Sequence, residues 1–299
     1  MKKAHPHASP ASSVDKADTL GGASAISAAL DVQAARPDSL DEIVLAAPAT
    51  TLERLHLLAL ALRALKPGGT LKVSAHRNRG GLRLRRELEG FGCAVEEHSG
   101  HHARLCHALR PQTLIGLDEA IMAGALRFDN SLGLWTQPGL FAWDRIDSGT
   151  ALLIAHLPAM AGQGADFGCG LGVLARDVLQ RPAVTHLSLI DNDSRALAAA
   201  RRNLDDSRAR FIHADIATHN FTVPLDFVVT NPPFHTLGKE SRALGIAFIA
   251  AAARSLRKGG QFWCVANRHL PYEAALRTSF GKFTEIAAQD GFKIMTATK

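Results

Sequence analysis

The chain has 299 residues, 46% of them hydrophobic, with a formal charge of +6; that allows two buried cores and favours a polyanionic partner, since phosphate neutralisation supplies most non-specific nucleic-acid affinity. Apolar runs such as Leu55 to Leu65 are too short and too interrupted to span a bilayer, and the opening residues, with Asp15 and Asp18, carry neither a secretory leader nor an Arg-rich transit segment. Cys93, Cys106, Cys169 and Cys264 form no disulfide framework, so a stapled secreted domain is excluded and a cytoplasmic location is expected.

Residues 1–38 are rich in Ala, Ser, Pro and Asp without a sustained period, and the first 20 or so read as a disordered tail. Asp41-Glu-Ile-Val-Leu-Ala-Ala-Pro48 then reads as a buried strand stopped by proline, followed by a helix from Leu52 to Leu65. Lys66-Pro-Gly-Gly69 supplies the glycine expected just past a helix end, and a strand follows over Thr70 to Ser74. Arg77, Arg79, Arg83, Arg85 and Arg86 crowd around Gly80-Gly81. Such a group suits phosphate contacts that position RNA without reading its sequence, and it equally suits a solvated basic helix face. Phe91-Gly-Cys-Ala-Val95 and the Ser99-Gly100 turn predict a closing hairpin. Cys93, His98, His101, His102, Cys106 and His107 are metal-ligating types, but their spacing matches no common site and no metal is expected.

The second half carries the chemistry. Ala165-Asp166-Phe167-Gly168-Cys169-Gly170-Leu171-Gly172 opens a predicted helix over Val173 to Gln180. Glycines there admit positive φ and let backbone approach a ligand closely. Val173 stands where a dinucleotide fingerprint needs its last glycine, so the spacing departs from the oxidoreductase pattern. Asp166, Gly168, Cys169, Gly170 and Gly172 are therefore candidate cofactor residues, Cys169 through its backbone and not as a nucleophile. A strand from His186 to Ile190 delivers Asp191, with Asn192 beside it, where an acid can accept both hydroxyls of a ribose. Another strand, Ala209 to Ile212, delivers Asp215, placed to accept an adenine amino group.

Asn231-Pro232-Pro233-Phe234 directly follows the predicted strand Phe227 to Thr230. A planar ring amine is a poor nucleophile because its lone pair is delocalised. Accepting both of its protons turns the nitrogen toward pyramidal geometry and frees that pair. Asn231 offers a side-chain oxygen and Pro232 a carbonyl, held in place by the fixed φ of Pro233. Phe234 can stack on a base, worth roughly 1–3 kcal/mol, and His235 is next to it. Asn231, Pro232, Pro233 and Phe234 are thus the candidate catalytic residues, with Phe234 and His235 facing substrate.

The two halves also repeat one another. Asp226 to Pro233 parallels Asp41 to Pro48, an Ala/Leu-rich helix from Arg242 to Leu256 follows, and Lys258-Gly-Gly260, matching Lys66-Pro-Gly-Gly69 as a lysine and a glycine pair that stop a helix, precedes a strand over Gln261 to Ala266. Phe280-Gly-Lys-Phe-Thr284 and Asp290-Gly291 then match the hairpin landmarks. In the first copy Ala46 replaces Asn231 and Ala47 replaces Pro232, and no glycine loop precedes them. An alanine side chain accepts no hydrogen bond, so the first copy is expected to be catalytically empty.

On Asp166 to Gly172, Asp191, Asn231 to His235 and Val265-Ala-Asn-Arg-His-Leu-Pro-Tyr272, the chain resembles the class I methyltransferases of the small-domain family, and more narrowly the ribosomal RNA small-subunit methyltransferase C group. Pro138-Gly-Leu-Phe141 through Asp147-Ser-Gly149 resembles that family's segment near the cofactor, which adds Phe141 to the cofactor residues, among which Asn231 also counts. The resemblance implies an α/β fold: a Rossmann-like seven-stranded sheet with an antiparallel last hairpin, preceded by a truncated, degenerate copy. The domains expected are a tail and lead-in over 1–38, the degenerate copy over 39–110, a linker and entry segment over 111–150, and a catalytic domain over 151–299. It further implies S-adenosylmethionine as cofactor, methylation of the 2-amino group of a guanine, and ribosomal RNA or a ribosomal subunit (small subunit favoured) as partner; pseudo-dimer packing of the two halves makes a monomer the expectation. Arg77, Arg79 and Arg83 are the RNA-docking candidates. Large-subunit RNA, a protein glutamine, a DNA adenine, or RNA binding without catalysis in ribosome assembly remain alternatives.

Overall fold

A computed structural model describes residues 32–100, 102–233, 235–236, 239–240 and 242–299. The chain falls into two compact units, one ending at Gly124 and the other beginning at Ala125.

The first unit runs β1 (Leu40–Ala46), α1 (Thr51–Ala64), β2 (Leu65–His76), a turn over Arg77–Gly81, α2 (Leu82–Gly90), β3 (Ala94–Ser99), β4 (Ala103–Leu109) and α3 (Leu117–Ala123). Its sheet order is β1-β2-β4-β3, with β1 and β2 parallel and the other pairs antiparallel. Helix α1 is buried over Leu57 to Leu62 because Leu and Ala there leave no polar face. Its one buried charge, Arg54, is doubly paired: Nε and Nη2 each donate to Glu87 at 2.7 Å, while Nη1 donates to the carbonyls of Pro48 and Ala49 at 3.1 and 2.8 Å. Gly80 lies directly over that guanidinium, where a Cβ would fall 2.3 Å from Nη1.

The second unit begins with a short hairpin, β5 (Arg127–Asp129) and β6 (Leu134–Thr136), and continues α4 (Ser148–His156), β7 (Gly162–Phe167), α5 (Val173–Val178), β8 (Val184–Asp191), α6 (Ser194–Asn203), β9 (Ala209–His213) and β10 (Leu225–Thr230). After the two-residue strands β11 (His235–Thr236) and β12 (Lys239–Glu240) come α7 (Arg242–Ser255), β13 (Leu256–Asn267), α8 (Glu273–Phe280), β14 (Phe283–Gln289) and β15 (Phe292–Thr298). The seven-stranded sheet has the order β14-β15-β13-β10-β7-β8-β9. Five central strands are parallel and only the closing hairpin is antiparallel. From β7 the chain winds outward to β9, then returns to β10 on the other side of β7. Strand order therefore reverses between β7 and β10, where open α/β sheets bind ligands at the strand carboxyl ends. Their tips are tied by Thr230 Oγ1, which donates to the Phe167 carbonyl at 2.7 Å.

The repeat is structural in detail. Order β1-β2-β4-β3 matches β10-β13-β15-β14 with the same directions. Helices α1 and α7 both have 14 residues, and β2 and β13 both have 12. Each parallel pair slips at the same place, between Leu40 and Glu42 and between Leu225 and Phe227. Both slips are locked by an ion pair, Lys66 with Asp41 at 2.8 Å and Arg257 with Asp226 at 2.5 Å. Gly68 and Gly69 exchange backbone bonds with Arg110 just as Gly259 and Gly260 do with Lys299. Arg110 then donates to the Leu62 carbonyl and Lys299 to that of Ala253.

Two expectations need correction. The glycine pairs are not helix caps: α1 and α7 pass straight into β2 and β13, and Gly68 (φ 81°) and Gly259 (φ 78°) form the bulge that resets strand register. That register also pairs Lys66 with Arg257, not with Lys258. Among the described residues, no helix is long and apolar enough to cross a membrane, and no group of three metal-ligating side chains occurs. Cys93 and Cys106 are buried and their thiols are pushed up to about 11 by burial, so they are held as neutral core groups.

Candidate active site

The site is built at the strand reversal. Beyond the end of β7, Gly168, Gly170 and Gly172 take φ of 70°, 52° and 79°, a path that side chains rarely follow. The N–H groups of Gly168 and Cys169 donate to the Ile190 carbonyl at 2.8 and 3.0 Å, which ties the loop to β8. Gly170 N–H donates to Asp191 Oδ2 at 2.9 Å, and Asp193 N–H donates to Oδ1 at 2.9 Å. Each Asp191 oxygen keeps a further lone pair for a ligand hydroxyl. Burial raises the Asp191 carboxyl. Burial also raises the Cys169 thiol well above its ordinary value, which removes it as a nucleophile.

Asp166 is buried, and its Oδ2 finds no hydrogen-bond partner among the described residues. Its carboxyl is pushed up to about 8, first by burial and then by the charge of Asp191, against the opposing N–H of Ala175. A buried carboxylate oxygen without a donor is costly, and a cationic ligand group would satisfy it.

Asn231 leaves the tip of β10. Its Nδ2 donates to Asp147 Oδ2 at 2.8 Å and to Thr150 Oγ1 at 2.9 Å. Asp147 is the N-cap of α4, and its Oδ2 also accepts from Thr150 N–H at 2.8 Å. Both amide protons of Asn231 are thus committed, and Oδ1 is the end left to accept.

Two adjoining cavities share this ground. One, of about 280 Å³, is lined by Gly168, Gly170, Asp191, Asn192 and Asp215 on one side and by Asn231, Pro232, Pro233 and Phe248 on the other. A smaller one of about 50 Å³ adds Asp147, Thr150, Asp166 and Cys169. Phe141 lines both and is 53% exposed, an aromatic face left for a ligand to cover. The two loops approach closely: a Cβ on Gly168 would lie 3.2 Å from Phe248 and 3.9 Å from Pro233.

Eleven of the expected residues therefore meet in one place: Phe141, Asp166, Gly168, Cys169, Gly170, Asp191, Asn192, Asp215, Asn231, Pro232 and Pro233. Gly172 is placed differently. A Cβ there would meet Leu204 at 3.0 Å and Ala200 at 3.3 Å, so the absence of a side chain lets the loop pack against the helix that contains Ala200. Asp215 also accepts from Ala217 N–H at 2.9 Å, bracing its own turn. Phe234 falls outside the described residues, and His235 begins β11. Arg77, Arg79 and Arg83 belong to the first unit, in the turn before α2 and on α2 itself; Arg77 and Arg83 are exposed.

Sequence reasoning put Asp147 in a segment near the cofactor but gave neither it nor Thr150 a role of its own, although an Asp at a helix start is a capping signal. Phe248, which walls the larger cavity, looks like any core position of an Ala-rich helix.

The methyltransferase small domain model matches residues 131–296. The chain is 29% identical over 276 residues to the Ribosomal RNA small subunit methyltransferase C of Shewanella amazonensis, covering 89% of this chain and 80% of that protein. The enzyme of the same name from Shewanella loihica is 30% identical over 268 residues, with 87% and 78% covered. Among solved structures, the T. thermophilus 16S rRNA N2 methyltransferase in complex with AdoMet and guanosine superposes with a TM-score of 0.77 at 26% identity, over 90% of this chain and 75% of that one. A matched span of more than half the chain, on a seven-stranded sheet with an antiparallel final hairpin, settles the kinship: this chain belongs to the methyltransferase small domain family.

Proposed function

We propose that the protein transfers a methyl group from S-adenosylmethionine to the exocyclic 2-amino group of a guanine in ribosomal RNA, with small-subunit RNA as the favoured substrate. The carrying observation is that the glycine loop, Asp191 and the Asn231-Pro232-Pro233 loop line one cavity. The relatives' names supply the RNA and the nitrogen; the residues supply the chemistry.

The cradle fits the cofactor. Asp191 would take the ribose hydroxyls and Asp215 the adenine amino group, with Phe248 in the wall of the same cavity. The unpartnered Oδ2 of Asp166 suits the cationic amino group of the methionine half. When bound, S-adenosylmethionine supplies an electrophilic methyl on a sulfonium. Asn231 Oδ1 and the Pro232 carbonyl accept the two protons of the base amine and draw its lone pair out of the ring. The enzyme's contribution is position and polarisation. No general base with a shifted pKa is required, because the amine becomes acidic as the new bond forms. The base must leave its stack to reach this cavity, which costs about a few kcal/mol. Arg77, Arg79 and Arg83 are assigned to phosphate contacts that dock the RNA.

The test is incorporation of labelled methyl from S-adenosylmethionine into purified 30S subunits, 50S subunits, naked RNA and protein. Nuclease digestion of the labelled product should yield 2-methylguanosine. Label in protein alone, or in adenine, rejects the assignment.

A further inference from the structure

Resting on the reading that Asn231 accepts a proton from the target amine, we propose that Asp147 and Thr150 are positioning residues that lock the Asn231 amide with its oxygen forward. An amide has two ends of nearly equal size and opposite polarity. With nitrogen forward, Asn231 would present N–H to the N–H of a base amine, and activation would become repulsion. The second end of the amide therefore needs a partner that tolerates only nitrogen.

Asp147 is such a partner. An ionised carboxylate accepts and never donates, so an Asn231 oxygen turned toward Asp147 Oδ2, at the 2.8 Å now spanned by a hydrogen bond, would face like charge. Thr150 Oγ1 takes the second amide proton at 2.9 Å. Drawing both protons toward acceptors, one of them anionic, also raises electron density on Oδ1 and makes it a better acceptor. The clamp is rigid because Asp147 is held from behind. Its Oδ2 accepts from Thr150 N–H at 2.8 Å, and Gly149 beneath it has no room for a side chain: a Cβ would sit 2.9 Å from the Phe292 ring and 3.1 Å from Asp147 Oδ2. The Asp147-Ser-Gly-Thr150 stretch thus links the start of α4 to the loop after β10.

The discriminating experiment swaps the polarity of the pair. Asn231→Asp puts two carboxylates face to face, while the double variant Asp147→Asn/Asn231→Asp restores one donor and one acceptor: the amide nitrogen of Asn at 147, in the place of Oδ2, gives its N–H to the new carboxylate, at the expense of the cap on Thr150 N–H. The expected result with the RNA substrate is a kcat at least tenfold below wild type for Asn231→Asp and at least a tenfold recovery in the double variant. Asp147→Ser keeps a helix cap but is too short to reach Asn231, and Thr150→Val removes one acceptor at constant shape. Both should lower kcat while S-adenosylhomocysteine affinity by titration calorimetry stays within threefold. A double variant no better than Asn231→Asp, or a wild-type kcat in Asp147→Ser, overturns the proposal. A second readout is independent of substrate: the Asn231 side-chain amide protons in the NMR spectrum should exchange slowly in wild type and rapidly in Thr150→Val. Equal exchange in the two also overturns it. Absence of RNA methylation by the wild type refutes the function assignment instead, and leaves the NMR comparison to decide the clamp.

Discussion

Asp166 is kept protonated up to about pH 8 by burial and by Asp191 at the tip of the neighbouring strand. The native state therefore binds a proton that the unfolded chain releases near 3.8, the ordinary value for the group. In that window the folded protein holds more protons than the unfolded one, so this group's contribution to stability declines as pH rises from about 4 to about 8. Asp166→Asn should flatten the fall in Tm across that range. Parallel Tm profiles for the two proteins would remove Asp166 as the source.

The same proton reports on the ligand. A cationic group beside Asp166 favours the carboxylate, so cofactor binding should release protons at neutral pH and tighten as pH rises toward 8. Calorimetry in two buffers of different ionisation enthalpy measures the release. Equal enthalpies in both buffers, for wild type as for Asp166→Asn, would contradict it.

Asn231→Ala should abolish methyl transfer, a loss of at least about 10²-fold in kcat on the scale seen for removing one polarising group, with S-adenosylhomocysteine affinity nearly intact. The division of labour is wrong if titration shows cofactor binding lost as well.

Breaking the buried pair in the first unit should be expensive. Arg54 has a side-chain exposure of 1% and Glu87 of 13%, so Glu87→Ala leaves a buried guanidinium without its anion, at about 3–5 kcal/mol. Scanning calorimetry should show a large drop in Tm for the transition that includes the first unit. A shift of only a degree or two would mean that the pair is solvated.

If the Arg77, Arg79 and Arg83 group docks RNA, replacing all three by Ala should weaken RNA binding most at low salt. It should also lower the slope of log K against log salt by roughly 0.7–0.9 for each phosphate no longer neutralised. An unchanged slope returns the cluster to a solvated helix face.

Much of this molecule was readable in one dimension. The strand ends carrying Asp166, Asp191 and Asn231 were legible because buried parallel strands are short apolar runs and the polar residues that end them stand out. The repeat was legible for the same reason. The role of Gly68 and Gly259 was not, since a glycine after a helix signals a cap and only strand pairing reveals a bulge. The packing of Gly172 against Ala200 and Leu204 was not legible either, because motif spacing does not say what a glycine's missing side chain makes room for. The hold of Asp147 and Thr150 on Asn231 spans more than eighty residues of chain and left no local pattern to read.

Arg54 sets the two copies apart. Its counterpart in the second unit, by the register of the two helices, is Gly245, which leaves room there for the ring of Tyr272. In the first unit the guanidinium binds the Pro48 and Ala49 carbonyls, so the backbone that follows β1 is already spoken for by its own helix. Restoring asparagine at Ala46 alone would therefore set it beside a loop held by its own helix, with no glycine loop before it to carry a cofactor. Giving that loop the arrangement of the second unit would require Arg54, Glu87 and the tight turn at Gly80 to change together, because each of them is fitted to the same guanidinium.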